Sequence, residues 1–279
     1  MTDRDAGGET VATDHATIDA APVKRLAATL DRDDRSSAPG DALPTAWHWL
    51  HFVAAPRQAA LSADGRGSSA DLLPSFDGMS RMWAGGSFEI VRPLRIGEQA
   101  SRRSRILTVA DKTGRGGRFT VATVEHRVSG ENGEAFREEQ RLLFRPHGPI
   151  AVAGGERAGV SEAPWRRHIV PDEVLLFRFS ALTFNAHRIH YDADFARAVE
   201  GYPGLVVHGP LTAMLLLDLV DRNAPGQRLA RFDCRAVRPL FAGRGMALLG
   251  APAADRGSVT LWAEDDHGYV AMRAEVGFA

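Results

Sequence analysis

The chain has 279 residues, of which 44% are hydrophobic and 25% charged, and its formal net charge is −1. This length can bury a large core, as one large domain or two ordinary ones. The near-zero net charge excludes charge-driven binding to nucleic acid or to an acidic membrane surface. No apolar run approaches the roughly 20 residues that cross a bilayer, so we expect neither a nucleic-acid nor a membrane partner.

The single cysteine, Cys234, excludes a disulfide within the chain. A chain without disulfides is typical of a reducing compartment. Residues 1–5 contain no basic start that leads into an apolar segment. We therefore expect a cytoplasmic protein.

The N-terminal region alternates between polar loops and short helices. Residues 1–20 are polar and predict a loose tail. Apolar residues at helical spacing predict a helix at 21–31, and the breaker-rich residues 32–40 predict a loop. Thr45 is expected to cap a second helix that carries Trp47.

From about residue 87 the pattern changes to that of strands. Segments rich in Val, Ile, Thr and Phe alternate with glycine-containing turns, which predicts an antiparallel meander. The predicted strands cover residues 104–110, 118–128 and 135–145, and the turns cover 113–117 and 130–133. Residues 146–164, rich in glycine and alanine, resemble a linker.

A second unit of similar order follows the linker. Residues 174–182 predict a strand, and residues 193–200 a short helix. The segment 210–220 is almost wholly apolar, with Asp218 as its one charged residue, so we expect a helix buried on most sides. Strands are expected to fill residues 228–279.

A short repeat supports two related halves. Arg92-Pro-Leu-x-x-Gly97 reappears as Arg238-Pro-Leu-x-x-Gly243, 146 residues later, and each copy precedes strand-like segments. We predict a domain organisation with a flexible tail and short helix at 1–40, a first domain at 41–148, a linker at 149–165 and a second domain at 166–279.

Histidines concentrate in one part of the second half. His187, His190 and His208 are three of the ten histidines and lie within 22 residues, just before the apolar helix. Histidine exchanges protons readily near neutral pH, so acid–base chemistry is expected here. We identify His190 as the candidate base, and Asn185 as a side chain that can hold a water molecule.

Gly209-Pro210 opens the predicted buried helix. Proline suits the first helical turn, where a backbone N–H is not needed. Gly209 leaves a free backbone N–H at the positive end of the helix, and donors of this kind stabilise an oxyanion. An ordinary glycine–proline helix start gives the same pattern.

These residues carry a resemblance to a known family. Two segments of the second half resemble the MaoC-like hydratases. They are Thr183-Phe-Asn185-Ala-His187-Arg-Ile-His190-Tyr-Asp192 and Val207-His208-Gly209-Pro210. One branch of this family contains the type 2 hydroxyacyl-thioester dehydratases and the itaconyl-CoA or mesaconyl-C4-CoA hydratases. Two segments of the chain resemble the first half of that branch, namely Trp47-His-Trp49-Leu-His-Phe52 and Arg81-Met-Trp83-Ala-Gly-Gly86.

The resemblance implies an α+β double hot-dog, with two antiparallel sheets each wrapped around a central helix. It implies reversible hydration of an enoyl-CoA, either mesaconyl-C4-CoA or itaconyl-CoA giving citramalyl-CoA, or else dehydration of a 3-hydroxyacyl thioester. Coenzyme A enters as part of the substrate, no cofactor or metal is implied, and a homodimer is possible. The implied catalytic residues are His190, Asn185 and Gly209, and the implied substrate-binding residues are Arg188, His187, His208, Arg81 and Trp83.

One position departs from the wider family. R-specific enoyl-CoA hydratases carry aspartate five residues before the catalytic histidine, where this chain has Asn185. An amide cannot act as a base, although it can orient water or an imidazole. The roles that aspartate and histidine have in the wider family therefore do not carry over directly to Asn185 and His190.

Other interpretations stay open at this point. A hot-dog thioesterase would need a carboxylate near the thioester carbonyl, and a non-catalytic acyl-CoA binding protein would need no base. Arg188 suits a carboxylate or phosphate, but an ion pair with Asp192 explains it equally well. A zinc site built from the three histidines lacks a cysteine or carboxylate ligand, and Cys234 is expected to be a buried hydrophobe.

Overall fold

The computed structural model describes residues 2–4, 10–33, 36–67, 72, 73, 76, 78–114, 117–148, 154–159 and 163–279. The remaining positions include parts of the predicted tail (1, 5–9), loop (34, 35), hairpin turn (115, 116) and linker (149–153, 160–162), and those predictions lie outside the described residues. Within the described ranges, no helix has the length and apolar character needed to cross a membrane.

In the described part of the chain, eleven antiparallel strands form one continuous sheet in the order β1-β2-β4-β5-β6-β3-β8-β11-β10-β9-β7. The strands are β1 Thr2–Arg4, β2 Thr10–Thr17, β3 Met79–Ile90, β4 Gln99–Gly114, β5 Gly117–Gly130, β6 Gly133–Pro146, β7 Trp165–Ile169, β8 Leu229–Ala236, β9 Met246–Pro252, β10 Ser258–Glu264 and β11 Val270–Phe278. The helices are α1 Ala20–Thr29, α2 Glu173–Leu182, α3 Ala193–Ala198 and α4 Gly209–Asn223.

The sheet consists of two halves with the same strand order, as the short sequence repeat predicts. From the centre outward, the order β3-β6-β5-β4-β2 matches β8-β11-β10-β9-β7. The backbone hydrogen bonds repeat as well, since the carbonyl of Leu94 accepts from Leu43 at 2.8 Å and that of Leu240 accepts from Val207 at 2.9 Å. The two halves therefore share one topology, with the repeated Arg-Pro-Leu at equivalent places.

The halves join where β3 pairs with β8, and two glycines let β3 lie close to β8 on one side and to β6 on the other. Gly85, with φ +122°, faces Cys234 so closely that an added Cβ would lie 2.1 Å from its carbonyl oxygen. At Gly86 a Cβ would lie 2.6 Å from the carbonyl oxygen of Glu139. Any side chain here would separate the strands, so the Gly-Gly pair has a structural reason.

Helix α4 forms the centre of the core. Ten consecutive residues, 211–220, are buried, and the helix packs on β3 of the first half as well as on β7, β9, β10 and β11 of the second. A helix that is apolar all round has to be enclosed on all sides. The buried helix predicted at 210–220 is thus confirmed.

The place that corresponds to the start of α4 in the first half holds only a single 3₁₀ turn, Trp47–Leu50. The expected helix capped by Thr45 is wrong, because the preceding residue is Ala46 in a left-handed conformation, with φ +70° and no side-chain cap. Trp47 and Leu50 are buried in the main core. One long helix therefore serves both halves of the sheet.

The predicted strand at 174–182 is also wrong, because this segment is α2. Asp172 caps its start by accepting a hydrogen bond from the Leu175 N–H at 2.8 Å. Leu176 and Phe179, one helical turn apart, are the buried residues. The apolar run has strand composition, but the aspartate cap and the i, i+3 spacing decide for a helix.

The loose tail predicted for residues 1–20 is wrong where the structure describes it. Residues 10–17 form β2, which pairs with β4, and Val11 is buried. The predicted strands of the meander are confirmed but are longer, and β3 begins at Met79 rather than near residue 87. Helix α1 and the strands after residue 228 agree with the prediction.

A buried carboxylate ties α4 to its surroundings. Asp218 pairs with Arg32 at 2.5 Å, with Arg167 of β7 at 2.6 Å and with Arg222 at 2.7 Å. The side chains of Arg32 and Asp218 are each 4% exposed. Removing one partner of such a pair leaves an uncompensated buried charge.

Asp218→Asn is expected to lower the free energy of unfolding by about 3 kcal/mol, because three arginines lose their shared buried carboxylate and Arg32 keeps only the more exposed Asp221 as an ion-pair partner. Urea denaturation followed by circular dichroism measures the change. Glu275→Gln is the matched control, since the pair of Arg231 and Glu275 is more than half exposed, and it should cost less than about 1 kcal/mol. Equal losses for the two variants would contradict the assignment.

Candidate active site

A cavity of about 390 Å³ lies where the two halves meet. It is bounded by β3, by the loop after α2, by the start of α4 and by the Arg238-Pro239-Leu240 segment. Among its lining residues, the structure brings together Arg81, Trp83, Asn185, His187, His190, His208 and Gly209. Seven of the eight predicted site residues therefore face one cavity.

Arg188, the eighth, lies elsewhere. Its guanidinium pairs with Asp192 at 2.7 Å, donates to the carbonyl of Ala63 and lies 4.2 Å over the ring of Phe195. Arg188 thus fixes the loop to α3, and the ion pair considered in the sequence analysis is present.

The histidine loop is held in a tight and partly strained shape. Phe184 has φ +49°, an uncommon value for a bulky residue. The side-chain oxygen of Asn185 accepts the N–H of His187 at 3.0 Å. The Asn185 oxygen is thus engaged by the loop, and its NH₂ group is the end that can donate to a ligand.

A segment of the first half packs against this loop. Arg188 donates its backbone N–H to the carbonyl of Asp64 at 2.8 Å. Gly65, with φ +83°, approaches so closely that an added Cβ would lie 2.0 Å from the carbonyl oxygen of Ala186. Glycine is required here because no other side chain fits, so the first half helps to position the loop.

The surroundings of His190, the candidate base, keep its ring neutral and fix its tautomer. Its Nδ1 lies 2.7 Å from the carbonyl oxygen of Val206. A carbonyl can only accept, so Nδ1 carries the proton and Nε2 keeps its lone pair. Within the described ranges, no hydrogen-bond partner meets Nε2. Burial lowers the pKa of His190 to about 4, so the ring is neutral at pH 7.

His208 packs against the ring of His190. The two rings stack with centroids 3.5 Å apart and planes 18° from parallel. The Nε2 atom of His208 is 2.9 Å from the hydroxyl of Ser180 on α2. Burial, and then His190 and His187, holds the pKa of His208 well below its ordinary value. A neutral His208 can pack on His190 without charge repulsion.

His187 lies at the far side of His190, with ring centroids 5.6 Å apart. Its Nε2 is buried and has no hydrogen-bond partner among the described residues. Burial and the neighbouring His190, Arg66 and Arg81 lower the pKa of His187 to about 2. It is therefore a neutral ring with an unsatisfied buried nitrogen, a group that a ligand can satisfy.

The group most suited to a metal ion is different from the three histidines considered from the sequence. Asp64, His187 and Glu200 are buried and offer ligand atoms within 4.8 Å of one another. However, Arg66 already forms an ion pair with Asp64, and Ser80 donates to Glu200. A cation would compete with these donors, so the arrangement favours a polar network over a metal centre.

Gly209 lies at the N-terminus of α4 and against Trp83. A Cβ at this position would lie 2.7 Å from a ring carbon of Trp83. The first N–H groups of a helix have no intrahelical partner, and they carry the positive end of its dipole. Gly209 therefore presents a backbone donor to the cavity, as the sequence predicts.

Two arginines from the first half face the cavity. Arg66 is engaged by Asp64 and donates to the carbonyl of Met79 at 3.1 Å. Arg81 has no hydrogen bond or ion pair with any described residue. Burial and the nearby charge of Arg66 lower the pKa of Arg81 to about 10, so it stays charged at pH 7.

Sequence reasoning missed Arg66 and Ser180. Nothing in the spacing places Arg66 opposite a loop more than a hundred residues away. Ser180 lies in the segment predicted as a strand. Cys234 is buried in the β3–β8 junction, as expected of a small hydrophobe, and burial raises its thiol pKa to about 12.

Comparisons with known proteins agree with this geometry. The chain matches the model of the family described as hydroxyacyl-thioester dehydratase type 2 over residues 46–242. It is 40% identical over 252 residues to the mesaconyl-C(4)-CoA hydratase of Chloroflexus aurantiacus, covering 90% of this chain and 89% of that protein. It is 25% identical to the mitochondrial hydroxyacyl-thioester dehydratase type 2 of Schizosaccharomyces pombe, over 82% of this chain and 86% of that one.

The fold is also that of solved structures. A MaoC-like dehydratase from Phytophthora capsici superposes with a TM-score of 0.73 at 15% identity, over 98% of this chain and 96% of that one. At this identity the likeness concerns the fold alone, and it confirms the predicted α+β double hot-dog.

The protonation of His190 can be tested directly. Its ordinary pKa of 6.5 is lowered to about 4 by burial, so the ring should stay neutral from pH 8 down to about pH 5. Because the unfolded chain binds this proton at higher pH than the folded one does, the contribution of His190 to stability is lost as pH falls from 6.5 through 4.

An NMR titration of histidine ring carbons, with assignment by His190→Gln, measures this pKa. His267, whose side chain is 67% exposed, gives the resonance of a solvent-exposed ring for comparison in the same spectra. A His190 midpoint near 6.5 would contradict the buried neutral base.

Proposed function

This chain belongs to the family of type 2 hydroxyacyl-thioester dehydratases and is a hydro-lyase, and we propose that it reversibly hydrates an enoyl-CoA with His190 as the catalytic base. The observation that carries this proposal is the neutral His190, whose Nδ1 proton is fixed by Val206 while Nε2 is left for the cavity. No cofactor beyond the coenzyme A of the substrate is needed.

In hydration, a water molecule loses a proton to Nε2 of His190 as its oxygen bonds to the carbon β to the thioester. The NH₂ group of Asn185 orients this water or the resulting β-hydroxyl, because the side-chain oxygen is already engaged. A positioned general base typically contributes about 10²–10⁴-fold in rate. The same proton can then pass from His190 to the α carbon, which completes the addition of H and OH across the double bond.

The negative charge that develops on the thioester oxygen needs fixed donors. The backbone N–H of Gly209, at the positive end of α4, is such a donor. Glycine also lets Trp83 pack directly against this helix start, since a Cβ there would lie 2.7 Å from its ring. This geometry stabilises the enolate without using a charged side chain.

The substrate proposed is mesaconyl-C4-CoA, with citramalyl-CoA as the product. It is supported by the 40% identity to a mesaconyl-C(4)-CoA hydratase along nearly the whole chain. A cytoplasmic location and a homodimer stay predictions.

The cavity wall argues against thioester hydrolysis. Its described lining residues include arginines and histidines but no aspartate or glutamate. A hot-dog thioesterase needs a carboxylate near the carbonyl, and here the corresponding loop offers Asn185. The same wall supports addition of water by a neutral imidazole.

His190→Ala is expected to reduce kcat for hydration of mesaconyl-C4-CoA by about 10²–10⁴-fold, because the base is removed. The assay follows loss of the enoyl-thioester absorbance and, by mass spectrometry, the gain of one water. His267→Ala removes an exposed histidine and should keep full activity. Full hydratase activity in His190→Ala, or release of free CoA by the unmodified protein, would refute the proposal.

A further inference from the structure

One cation in the cavity forms no ion pair with any described residue. Arg81 lies on β3, two residues before Trp83, and both side chains line the cavity. Its side chain is partly buried and forms no ion pair or hydrogen bond within the described ranges, and the carboxylate whose charge acts on it, Asp64, is held by Arg66. The other two arginines of the wall differ, because Arg66 is paired with Asp64 and Arg238 with Asp265.

Burying a charged guanidinium without a partner is unfavourable. Much of the surrounding wall is apolar and includes Leu142, Ile189 and Met272. Its described lining contains no carboxylate to offset the charge. An anionic group on the ligand would remove this imbalance, and a carboxylate matches the planar fork of arginine bidentately.

The position of Arg81 places this anion near the reacting carbon. Arg81 and His187 line the same cavity. Trp83, two residues along β3 from Arg81, packs against Gly209 at the start of α4. The ring of His187 lies 5.6 Å from that of His190. The uncompensated charge is therefore on the side of the cavity that holds the base.

We propose that Arg81 binds the free carboxylate of a dicarboxylic enoyl-CoA and so selects this substrate class. The inference rests on the proposed hydratase function. In mesaconyl-C4-CoA the free carboxylate is attached to the carbon that receives the hydroxyl group. A partner for that carboxylate has to lie beside the base, and Arg81 meets this requirement.

The phosphates of coenzyme A fit this arginine less well. They are separated from the thioester by the long pantetheine arm, whereas Arg81 lies beside the histidines that act on the acyl group. Neutralising the carboxylate at Arg81 also favours attack at the adjacent carbon, since it reduces repulsion of the incoming oxygen.

The test compares two substrates that differ at one group. In 3-methylcrotonyl-CoA a methyl group stands where mesaconyl-C4-CoA has its free carboxylate. Arg81→Met removes the charge and keeps much of the side-chain length. We expect kcat/KM for mesaconyl-C4-CoA to fall at least about 100-fold, as for loss of a buried charged partner, and that for 3-methylcrotonyl-CoA to change less than about threefold.

Arg118→Met, at a side chain that is 82% exposed and does not line the cavity, removes one solvated charge and should leave both substrates unaffected. Arg81→Lys should recover part of the activity on mesaconyl-C4-CoA. The melting temperature of ligand-free Arg81→Met should equal or exceed that of the unmodified protein, because an uncompensated charge is lost. Equal losses on both substrates, or a clear fall in melting temperature, would overturn the proposal.

Binding separates failure of this inference from failure of the hydratase proposal. Calorimetric titration of His190→Ala, with and without Arg81→Met, gives the ratio of dissociation constants for the two thioesters without turnover. A preference for mesaconyl-C4-CoA that Arg81→Met abolishes supports Arg81, even if no hydration is found in the unmodified protein. An unchanged ratio, or no preference in His190→Ala itself, refutes it even if hydration is observed.

Discussion

The pairing of β3 with β8 is the constraint on which the site depends. It joins the two halves into one sheet, and its close approach requires Gly85. Because β3 runs through the junction, Arg81 and Trp83 of the first half reach the cavity beside α4. The site is therefore shared, with the base from one half and part of the wall from the other.

The buried environment explains how histidine chemistry works here without a charged partner. In many sites a carboxylate orients the catalytic imidazole, whereas His190 uses the carbonyl of Val206 and the stacked ring of His208. Burial keeps these rings neutral, and each neutral ring permits its neighbour to remain buried. Protonating both stacked rings would add charge repulsion to the cost of desolvation, so burial favours the uncharged cluster.

The sequence predicts the site better than it predicts some of the fold. The histidine loop and Gly209-Pro210 are local motifs beside a strongly apolar helix, so spacing alone brings most of their residues together. Arg66 and Ser180 depend on pairings between distant segments, which spacing does not record. The segment 174–182 was misassigned because a short apolar run suits a strand or a helix, and its cap at Asp172 decides between them.

The two halves show how a duplicated fold can keep one acid–base site. Where the second half begins its long helix with Gly209, the first half has a 3₁₀ turn that carries His48 and Trp49. The Nε2 atom of His48 lies 2.9 Å from the buried carboxylate of Glu138, and the ring N–H of Trp49 donates to the same carboxylate at 2.8 Å.

Burial alone would raise the pKa of Glu138, but His48, with smaller contributions from His126 and Trp49, lowers it to about 2. The imidazole of His48 is thus tied to a carboxylate inside the core, whereas Nε2 of His190 faces the cavity. His48 and the proposed base His190 therefore differ in the partner of Nε2. In the first half that partner is Glu138, and in the second it is left for the substrate.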